Sequence, residues 1–194
     1  MKVLVTGVKG QLGYDVVNEL TKRGHTAIGV DIDEMDITDK HSVQMVIDNN
    51  KPDAVIHCAA WTAVDLAEDE DKIALVRAVN TEGTRNIAEV CKKLNCKMMY
   101  ISTDYVFNGQ GTEPWEPDCK DYEPLNVYGQ TKLGGELAVS NLLEKYFIVR
   151  IAWVFGVNGN NFIKTMLNVG KKYDELTVVN DQIGTPTYTF ARLL

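Results

Sequence analysis

The sequence contains no long run of hydrophobic residues. Although 45% of its 194 residues are hydrophobic, no apolar stretch approaches the ~20 residues that a membrane-spanning helix needs. The first residues do not resemble a secretory signal either, because a short strand-like run at residues 2–5 leads directly to Gly7. We therefore expect a protein that has no membrane partner and is located in the cytoplasm.

Cysteine and histidine are scarce, with four and three copies respectively. The cysteines are Cys58, Cys91, Cys96 and Cys119, and they show neither a CxxC pair nor the spacing of a Cys/His metal site. We expect no metal centre, and we expect free thiols in a reducing compartment.

Positive charge is in deficit. The chain has 20 Lys and Arg residues against 27 Asp and Glu residues, a net charge of -7 and a pI near 5.0. Because nucleic acids and anionic membranes attract basic surfaces, this balance argues against both as partners. The length is sufficient for one substantial domain and too short for two full ones.

What the sequence does contain is a regular alternation of strand-like and helix-like segments. The hydrophobic spacing predicts strands at residues 3–6, 26–31, 54–58, 97–102 and 147–151, and helices at residues 11–22, 39–49, 73–94 and 127–143. Nearly continuous apolar strands separated by helices are typical of a parallel sheet that is covered on both faces. The sequence therefore predicts an α/β protein with a doubly wound Rossmann fold, which binds ligands beyond the carboxyl ends of its strands.

Two segments interrupt or follow this pattern. Residues 108–126 include three prolines and predict a long loop of the kind that often serves as a lid or binding loop. A helix is expected to begin at about Tyr188 and to be cut off within two turns. We therefore predict an NAD(P)-binding domain at residues 1–150 and a partial substrate-binding region at residues 151–194, whose C-terminal remainder is absent.

A glycine-rich turn follows the first predicted strand. Gly7, Gly10 and Gly13 are spaced three residues apart, and Gln11 and Leu12 lie between the last two, where the first predicted helix begins. Glycine allows a tight turn and close approach of the backbone to a pyrophosphate, while the helix N-terminus offers free N–H groups. Such spacing also occurs at ordinary strand ends, but this position between strand and helix favours a dinucleotide site.

Carboxylates at the end of the second strand bear on the choice of dinucleotide. Asp31 lies 18 residues after Gly13, where a carboxylate binds the adenosine ribose hydroxyls and repels a 2′-phosphate. No Arg follows it, so we predict that NAD(H) is favoured and that NADP(H) is the alternative. Asp36 and Ile37 are predicted to contact the adenine, although a helix-capping role explains Asp36 almost as well.

Tyr128 and Lys132 are candidate catalytic residues. Residues four apart on a helix share a face, so the Lys132 ammonium can reach the neighbourhood of the Tyr128 hydroxyl. A nearby cation lowers the pKa of a phenol, which would let Tyr128 protonate an oxygen at neutral pH. The alternative is a surface pair, with a half-buried Tyr and a Lys stem lying along the protein.

Hydroxyl and carboxylate groups follow the fourth predicted strand. Thr103 can donate a hydrogen bond to a substrate carbonyl, and Asp104 can bind sugar hydroxyls. Polar residues at a strand exit also form ordinary turns, a role that suits Ser102 well. Small residues after the third strand, including Ala59 and Ala60, would let a cofactor pass close to the backbone.

With these segments together, the chain resembles the extended short-chain dehydrogenase/reductases, and within them the dTDP-4-dehydrorhamnose reductase group. The glycine turn and the Tyr-Lys pair mark the superfamily. Three further motifs narrow the resemblance, namely AVDLAE at residues 63–68, STDYVF at 102–107 and NDQIGTPT at 180–187.

The resemblance implies particular roles for the candidate residues. Tyr128 would be the proton donor, assisted by Lys132 and Thr103, while Asp104 and Trp153 would face a deoxysugar. The dinucleotide would lie against the glycine turn, the acidic residues after the second strand, the stretch after the third, and the catalytic pair. These residues are Gly7, Gly10, Gln11, Leu12, Gly13, Asp31, Asp36, Ile37, Ala59, Ala60, Trp61, Thr62, Tyr128 and Lys132, the last of which can bind the nicotinamide ribose. The implied reaction reduces the C4 ketone of dTDP-4-dehydro-L-rhamnose to dTDP-L-rhamnose, in an enzyme that can form a homodimer.

Two other functions remain open on sequence grounds. A nucleotide-sugar epimerase or dehydratase on the same scaffold would retain oxidised NAD tightly, and a dehydratase would need an acid pair where only Asp104 is available. A non-catalytic, dinucleotide-binding regulatory subunit is the other alternative. Loss of Tyr128 or Lys132 would favour it, and both residues are present.

Overall fold

The computed structural model describes residues 1–190, and these residues form one parallel sheet flanked by helices. The strands are β1 (Lys2–Thr6), β2 (Thr26–Val30), β3 (Ala54–His57), β4 (Lys97–Thr103), β5 (Tyr146–Phe155) and β6 (Pro186–Tyr188). The helices are α1 (Gln11–Lys22), α2 (Lys40–Asn50), α3 (Glu70–Arg77), α4 (Thr84–Leu94), α5 (Val127–Leu142) and α6 (Phe162–Val169).

The six strands are ordered β2-β1-β3-β4-β5-β6, and every neighbouring pair is parallel. The chain moves outward from β1 to β2 and then crosses back to β3 on the other side of β1. This reversal creates a crevice at the carboxyl ends of β1 and β3, where doubly wound folds bind their ligands. The predicted Rossmann-type fold is confirmed.

Alternating residues of the strands supply two separate cores. Val3 and Val5 of β1 pack with Leu12, Val16 and Leu20 of α1 on one face of the sheet. On the opposite face, Leu4 packs in a larger cluster that includes residues of α2, α4 and α5. Because successive side chains of a strand point to opposite faces, the fully apolar strands require helices on both sides.

The predicted helix at residues 73–94 differs from the observed structure. It begins earlier, at Glu70, and a π-helical segment (Ala78–Gly83) separates α3 from α4. In the wider turn, the buried Asn80 accepts a hydrogen bond through its carbonyl from the Thr84 hydroxyl at 2.7 Å. Such turns have no distinctive hydrophobic spacing, so the sequence pattern showed one continuous helix.

The C-terminal part was predicted least well. Tyr188 ends the short strand β6 and does not begin a helix, while residues 191–194 of the expected helix lie outside the described residues. Helix α6 and two 3-10 turns (Asp65–Glu68 and Asp104–Val106) were not predicted. β5 continues across residue 150, and the division into two functional regions there stays a prediction.

Residues 1–190 contain neither a candidate membrane-spanning helix nor a candidate metal-binding cluster. No helix within residues 1–190 is both long and apolar enough to cross a membrane. In the same residues, no group of three or more His, Cys, Asp or Glu side chains could hold a metal ion.

Candidate active site

Two clefts open at the carboxyl edge of the sheet and share Gly7, Asp31, Ala59 and Ala60 as lining residues. The larger has a volume of about 480 Å³ and extends from the glycine turn to the ends of β4 and β5. The smaller, of about 360 Å³, extends from β1 past the end of β2. Together they form an elongated site across the crevice where the strand order reverses.

The glycine turn has the backbone geometry of an anion site. Gly7 has a φ of +70°, and a Cβ atom there would lie 2.8 Å from the backbone of Ala59. At Gly13 a Cβ atom would lie 2.3 Å from the Gly7 carbonyl oxygen, so α1 can pack this closely only without a side chain. Gly10 caps α1 without a side-chain hydrogen bond, which leaves N–H groups at the helix N-terminus for a phosphate.

Asp31 connects the end of β2 to the glycine turn. Its carboxylate accepts hydrogen bonds from the backbone N–H of Lys9 and from that of Ile32, both at 2.9 Å. Each carboxylate oxygen can accept a further bond, and Asp31 lines both clefts. The carboxylate is therefore oriented by the turn and available to ribose hydroxyls.

Asp36 and Ile37 line the smaller cleft. One Asp36 oxygen accepts hydrogen bonds from the backbone N–H of Thr38 at 2.9 Å and from its hydroxyl at 2.7 Å. The cap of α2 is Asp39, whose side chain accepts from His41 at 2.8 Å. Asp36 thus stabilises a local turn, and its position in the cleft is compatible with an adenine contact as well.

Trp61 is the predicted site residue that lines neither cleft. Its backbone N–H donates to the side chain of Asn80 at 2.8 Å, and its indole N–H donates to the carbonyl of Ala63 at 3.1 Å. The expected contact of Trp61 with the dinucleotide stays a prediction. Ala59, Ala60 and Thr62 do line the larger cleft.

The catalytic candidates lie together at the ends of β4 and α5. Asn126 caps α5 by accepting from Gly129 at 2.7 Å, which places Tyr128 at the second position of the helix. The Tyr128 hydroxyl forms a hydrogen bond with the side chain of Thr103. Thr103 in turn donates to Asp104 at 3.0 Å, so three of the predicted residues form one connected group.

Lys132 is almost fully enclosed, with 3% of its surface exposed. Its Nζ donates to the carbonyl of Ile101 at 2.7 Å and lies 4.2 Å from the centre of the Tyr100 ring. Burial lowers the pKa of Lys132 to about 7, partly offset by the charge of Glu136 one turn later. The ammonium therefore can release its proton near neutral pH.

The pKa of Tyr128 shifts in the direction opposite to the one expected, and Lys132 is not among the main causes of the shift. Burial raises the pKa of Tyr128 to about 12, and its hydrogen bond with Thr103 only partly opposes this shift. Desolvation disfavours the phenolate more strongly than any neighbouring group favours it. Tyr128 therefore stays protonated at neutral pH, as a proton donor must be before it acts.

Ser102 indicates that the larger cleft suits a polar ligand. Its Oγ is buried and has no hydrogen-bond partner among residues 1–190, and the residue lines the cleft beside Thr103. Buried hydroxyls are rarely left unpaired. Together with the glycine turn, where a Cβ would fill the cradle, this unpaired donor fits a bound dinucleotide or its substrate.

Trp153 marks the far end of the larger cleft. It lies at a bulge where the pairing of β5 with β6 shifts register, and its φ is 47°, which is rare for a bulky residue. Half of its surface is exposed, and it lines the cleft together with Asp104. Strained backbone of this kind is often found at functional sites.

The family comparison agrees with this geometry. The family model described as the RmlD substrate binding domain matches residues 1–192. The chain belongs to this family.

The chain is similar to several proteins named as dTDP-4-dehydrorhamnose reductases. A dTDP-4-dehydrorhamnose reductase from Streptomyces griseus is 41% identical over 187 residues, which cover 96% of this chain and 60% of the relative. The solved dTDP-4-dehydrorhamnose reductase from Clostridium acetobutylicum has a TM-score of 0.93 and 43% identity, covering 98% of this chain and 66% of that one. The Bacillus anthracis reductase, solved in complex with NADP, has a TM-score of 0.92 and 42% identity, with coverages of 97% and 66%.

The resemblance inferred from the sequence motifs is thus confirmed at the level of the RmlD family. The chain spans only 60–66% of the length of these three relatives. Their activity and substrates are therefore properties of longer chains.

Two residues that line the larger cleft, Lys9 and Tyr105, were not predicted from the sequence. Lys9 lines the larger cleft and pairs with Asp33, a contact that raises the pKa of the lysine. Its position inside the glycine turn was a signal that could have identified it. Tyr105 also lines the cleft, with its ring edge against Tyr128 at 5.7 Å between centroids.

Proposed function

We propose that this chain binds a reduced nicotinamide dinucleotide and reduces the C4 ketone of dTDP-4-dehydro-L-rhamnose to dTDP-L-rhamnose. The observation that carries the proposal is the convergence of Tyr128, Thr103 and Lys132 on the cleft that also contains the uncapped N-terminus of α1. The names of the relatives supply the substrate and the reaction.

Tyr128 is the proton donor in this proposal. Reduction of a ketone adds a hydride to carbon and a proton to oxygen, and a bound reduced nicotinamide would supply the hydride. The Tyr128 phenol is protonated because its pKa is raised to about 12. As negative charge develops on the substrate oxygen, the basicity of that oxygen comes to exceed that of the phenolate, and the proton transfers.

Thr103 and Lys132 support this transfer. The hydrogen bond between Thr103 and Tyr128 orients the phenol. To stabilise the phenolate that remains, the Thr103 hydroxyl would turn its proton from Asp104 to the Tyr128 oxygen. Lys132 uses one of its three donors for the Ile101 carbonyl and has two left for a ribose hydroxyl or for a bridging water. With a pKa of about 7, Lys132 is suited to return a proton to the site after each turnover.

The dinucleotide extends across both clefts in the proposal. The turn from Gly7 to Gly13 holds the pyrophosphate, Asp31 binds the adenosine ribose, and Asp36 and Ile37 lie at the adenine. NAD(H) is favoured because Asp31 repels a 2′-phosphate. NADP(H) is the alternative, since Lys9 lines the same cleft as Asp31 and its ammonium would exchange Asp33 for the 2′-phosphate.

The sugar lies at the other end of the larger cleft. Asp104 is exposed there and accepts hydrogen bonds from sugar hydroxyls, and the flat Trp153 ring packs on a sugar face. We assign cofactor binding mainly to residues 1–150 and part of the substrate region to residues 151–194. A cytoplasmic location, consistent with four free cysteines, and a homodimer belong to the same proposal.

The test compares wild type with Tyr128→Phe in an assay of NADH oxidation by dTDP-4-dehydrorhamnose. We expect kcat to fall by roughly 10²–10⁴-fold, the usual contribution of a positioned acid, while the dissociation constant of NADH stays unchanged. Tyr146→Phe is the matched control, because Tyr146 is exposed at the opposite end of β5. NADPH is titrated in parallel.

Two results would contradict the proposal. If Tyr128→Phe reduces the ketone as fast as wild type, Tyr128 is not the acid. If wild type binds NADH but turns over no substrate, this chain does not perform the reaction. Markedly tighter binding of NADPH than of NADH would overturn the cofactor preference alone.

A further inference from the structure

Residues 156–161, which follow β5, pack against the glycine turn although about 150 positions of sequence separate them. The Asn158 amide donates to the carbonyl of Gly10 at 3.2 Å and to that of Lys9 at 3.4 Å. The Asn161 amide donates to the side-chain carbonyl of Gln11 at 3.0 Å. Two asparagines of one loop therefore hold three consecutive residues of the predicted phosphate site.

The 156–161 loop is itself fixed by a second set of bonds. Asn161 caps α6 by accepting from the backbone N–H of Lys164 at 3.0 Å, and its amide also donates to the carbonyl of Gly156 at 3.0 Å. The Lys164 ammonium donates to the carbonyls of Val157 at 2.5 Å and Gly159 at 2.7 Å. The loop is therefore a rigid support for the turn.

Gly159 allows the loop to approach this closely. Its φ is +70°, in the left-handed region, and a Cβ atom there would lie 2.8 Å from the Cγ of Gln11. Both the backbone conformation and the contact exclude a side chain. The close packing of the loop against the turn therefore depends on a glycine in the loop, in addition to the glycines of the turn.

The bonds from Asn158 also orient the donors of the turn. The Gly10 carbonyl accepts from Asn158 and from the backbone N–H of Tyr14 at 3.2 Å, which is the first hydrogen bond of α1. In a planar trans peptide the carbonyl and the following N–H point in opposite directions. Fixing the Gly10 carbonyl therefore directs the Gln11 N–H toward the anion-binding end of the helix.

We propose that Asn158 and Asn161 are positioning residues that hold the glycine turn in the conformation that accepts a dinucleotide pyrophosphate. The inference rests on the proposed function, since the dinucleotide is the ligand. It assigns part of the segment after residue 150 to cofactor binding, in addition to its predicted role toward the substrate. Preorganised donors bind more tightly because less order is lost on binding.

The test uses three variants of the whole chain. Asn158→Ala removes one amide donor, and Asn161→Ser removes the other but keeps an oxygen that can cap α6. Asn160→Ala is the matched control, because Asn160 is exposed and makes no side-chain hydrogen bond within the part of the chain that the structure describes. Dissociation constants for NADH, ADP and adenosine are measured by calorimetry, with thermal unfolding of each variant.

We expect the dissociation constants of NADH and ADP to rise by about fivefold in Asn158→Ala and in Asn161→Ser, which corresponds to about 1 kcal/mol and is of the order of one hydrogen bond's net contribution. Adenosine binding should stay within twofold of wild type, because adenosine lacks the diphosphate that the turn contacts. Asn160→Ala should match wild type for all three ligands. A merely structural role would weaken adenosine and NADH equally.

Three outcomes would overturn the inference, and they differ in what else they affect. Unchanged NADH binding in both variants overturns it and leaves the proposed function intact. An equal loss for adenosine overturns it in favour of a general structural role. A wild-type chain that binds neither NADH nor NADPH overturns the proposed function, and the inference with it.

Discussion

His57 lies at the end of β3, enclosed by Thr6, Thr84 and the ring of Tyr100. The Thr6 hydroxyl accepts hydrogen bonds from the backbone N–H groups after His57 at 3.0 and 3.1 Å, so its own proton is donated to Nδ1 of the histidine at 2.7 Å. Nε2 then carries the ring proton and donates to Thr84 at 3.1 Å. The surroundings therefore select one neutral tautomer.

This burial predicts how stability depends on pH. Burial, together with the charge of Lys132, lowers the pKa of His57 from 6.5 to about 3. Between these values the unfolded state binds a proton that the folded state does not, so stability falls as pH falls through this window. In wild type, this titration lowers the free energy of unfolding by up to about 1.4 kcal/mol for each pH unit below the pKa of the unfolded state. His57→Gln lacks the titrating group, so its free energy of unfolding should fall less steeply, as measured by urea unfolding between pH ~7 and ~5.

His41→Gln is the matched control, because His41 is exposed at the start of α2. Its pH dependence should parallel that of wild type. The assignment of His57 is wrong if His57→Gln and wild type lose stability in parallel as the solution is acidified. Comparing slopes rather than absolute stabilities removes any constant cost of the substitution itself.

At the scale of the element, the first turn of α5 determines where the catalytic phenol lies. Asn126 caps the helix by accepting from Gly129 at 2.7 Å, and the Glu68 side chain accepts from the backbone N–H of Val127 at 2.7 Å. The Thr131 hydroxyl donates to the carbonyl of Tyr128 at 2.9 Å. Three side chains, those of Asn126, Glu68 and Thr131, therefore stabilise the first turn of α5 by hydrogen bonds to its backbone.

Removing the cap should loosen this turn. We expect Asn126→Ala to lower the free energy of unfolding by about 1 kcal/mol and to lower kcat, because Tyr128 lies in the turn that frays. Asn126→Asp keeps an oxygen acceptor at the same place and should retain most of both properties. Urea unfolding and the ketone-reduction assay measure the two effects, and equal losses in Ala and Asp variants would rule out the capping explanation.

The element scale also shows why some segments could be predicted and others could not. The bounds of α1 were predicted without error, since its apolar residues keep a helical period between Gly10 and Gly24. In contrast, α6 was missed although its apolar residues keep a helical period, because its eight residues form only two turns and so short a pattern does not distinguish a helix. β6 has three residues, too few for a period of two to be recognised.

At the scale of the whole molecule, Arg150 joins the sheet, α5 and the long loop that precedes this helix. Its guanidinium forms two hydrogen bonds with Glu136, at 2.8 and 2.9 Å, and the glutamate is only 2% exposed. It also donates to the Tyr122 hydroxyl at 3.0 Å and packs over the Phe107 ring at 5.0 Å. The pair with Glu136 raises the pKa of Arg150, so the cation is permanent.

The pair predicts a non-additive response to mutation. Arg150→Met should destabilise the fold by about 3–5 kcal/mol, because it leaves the Glu136 carboxylate buried without a partner. The double variant Arg150→Met/Glu136→Leu should recover much of this loss, since no unpaired charge remains. Urea unfolding of wild type, both single variants and the double variant gives the coupling energy.

Additive losses in the four measurements would show that the two side chains act independently.

The same series tests the loop, since Arg150 also holds Tyr122 of the segment between β4 and α5. If the ion pair anchors this segment, proteolysis of residues 108–126 should become faster in Arg150→Met than in wild type.

Much of the site was predictable because chemistry-bearing residues follow strands whose carboxyl ends meet at one edge. Asp31, Ala59 and Thr103 are far apart in sequence and were nonetheless expected together for this reason. The hydrogen bond from the Trp61 backbone to Asn80, a residue of the π-helical segment, was not predicted. No spacing rule connects these two residues.

The sequence by itself determined the alternation of strands and helices, the glycine turn and the identity of the catalytic candidates, because these depend on local periodicity and on residue type. Only the tertiary structure decided in which direction the pKa values of Tyr128, Lys132 and His57 shift, since desolvation depends on what surrounds a group. It also decided that the 156–161 loop supports the glycine turn, because hydrogen bonds between residues about 150 positions apart leave no trace in a local pattern.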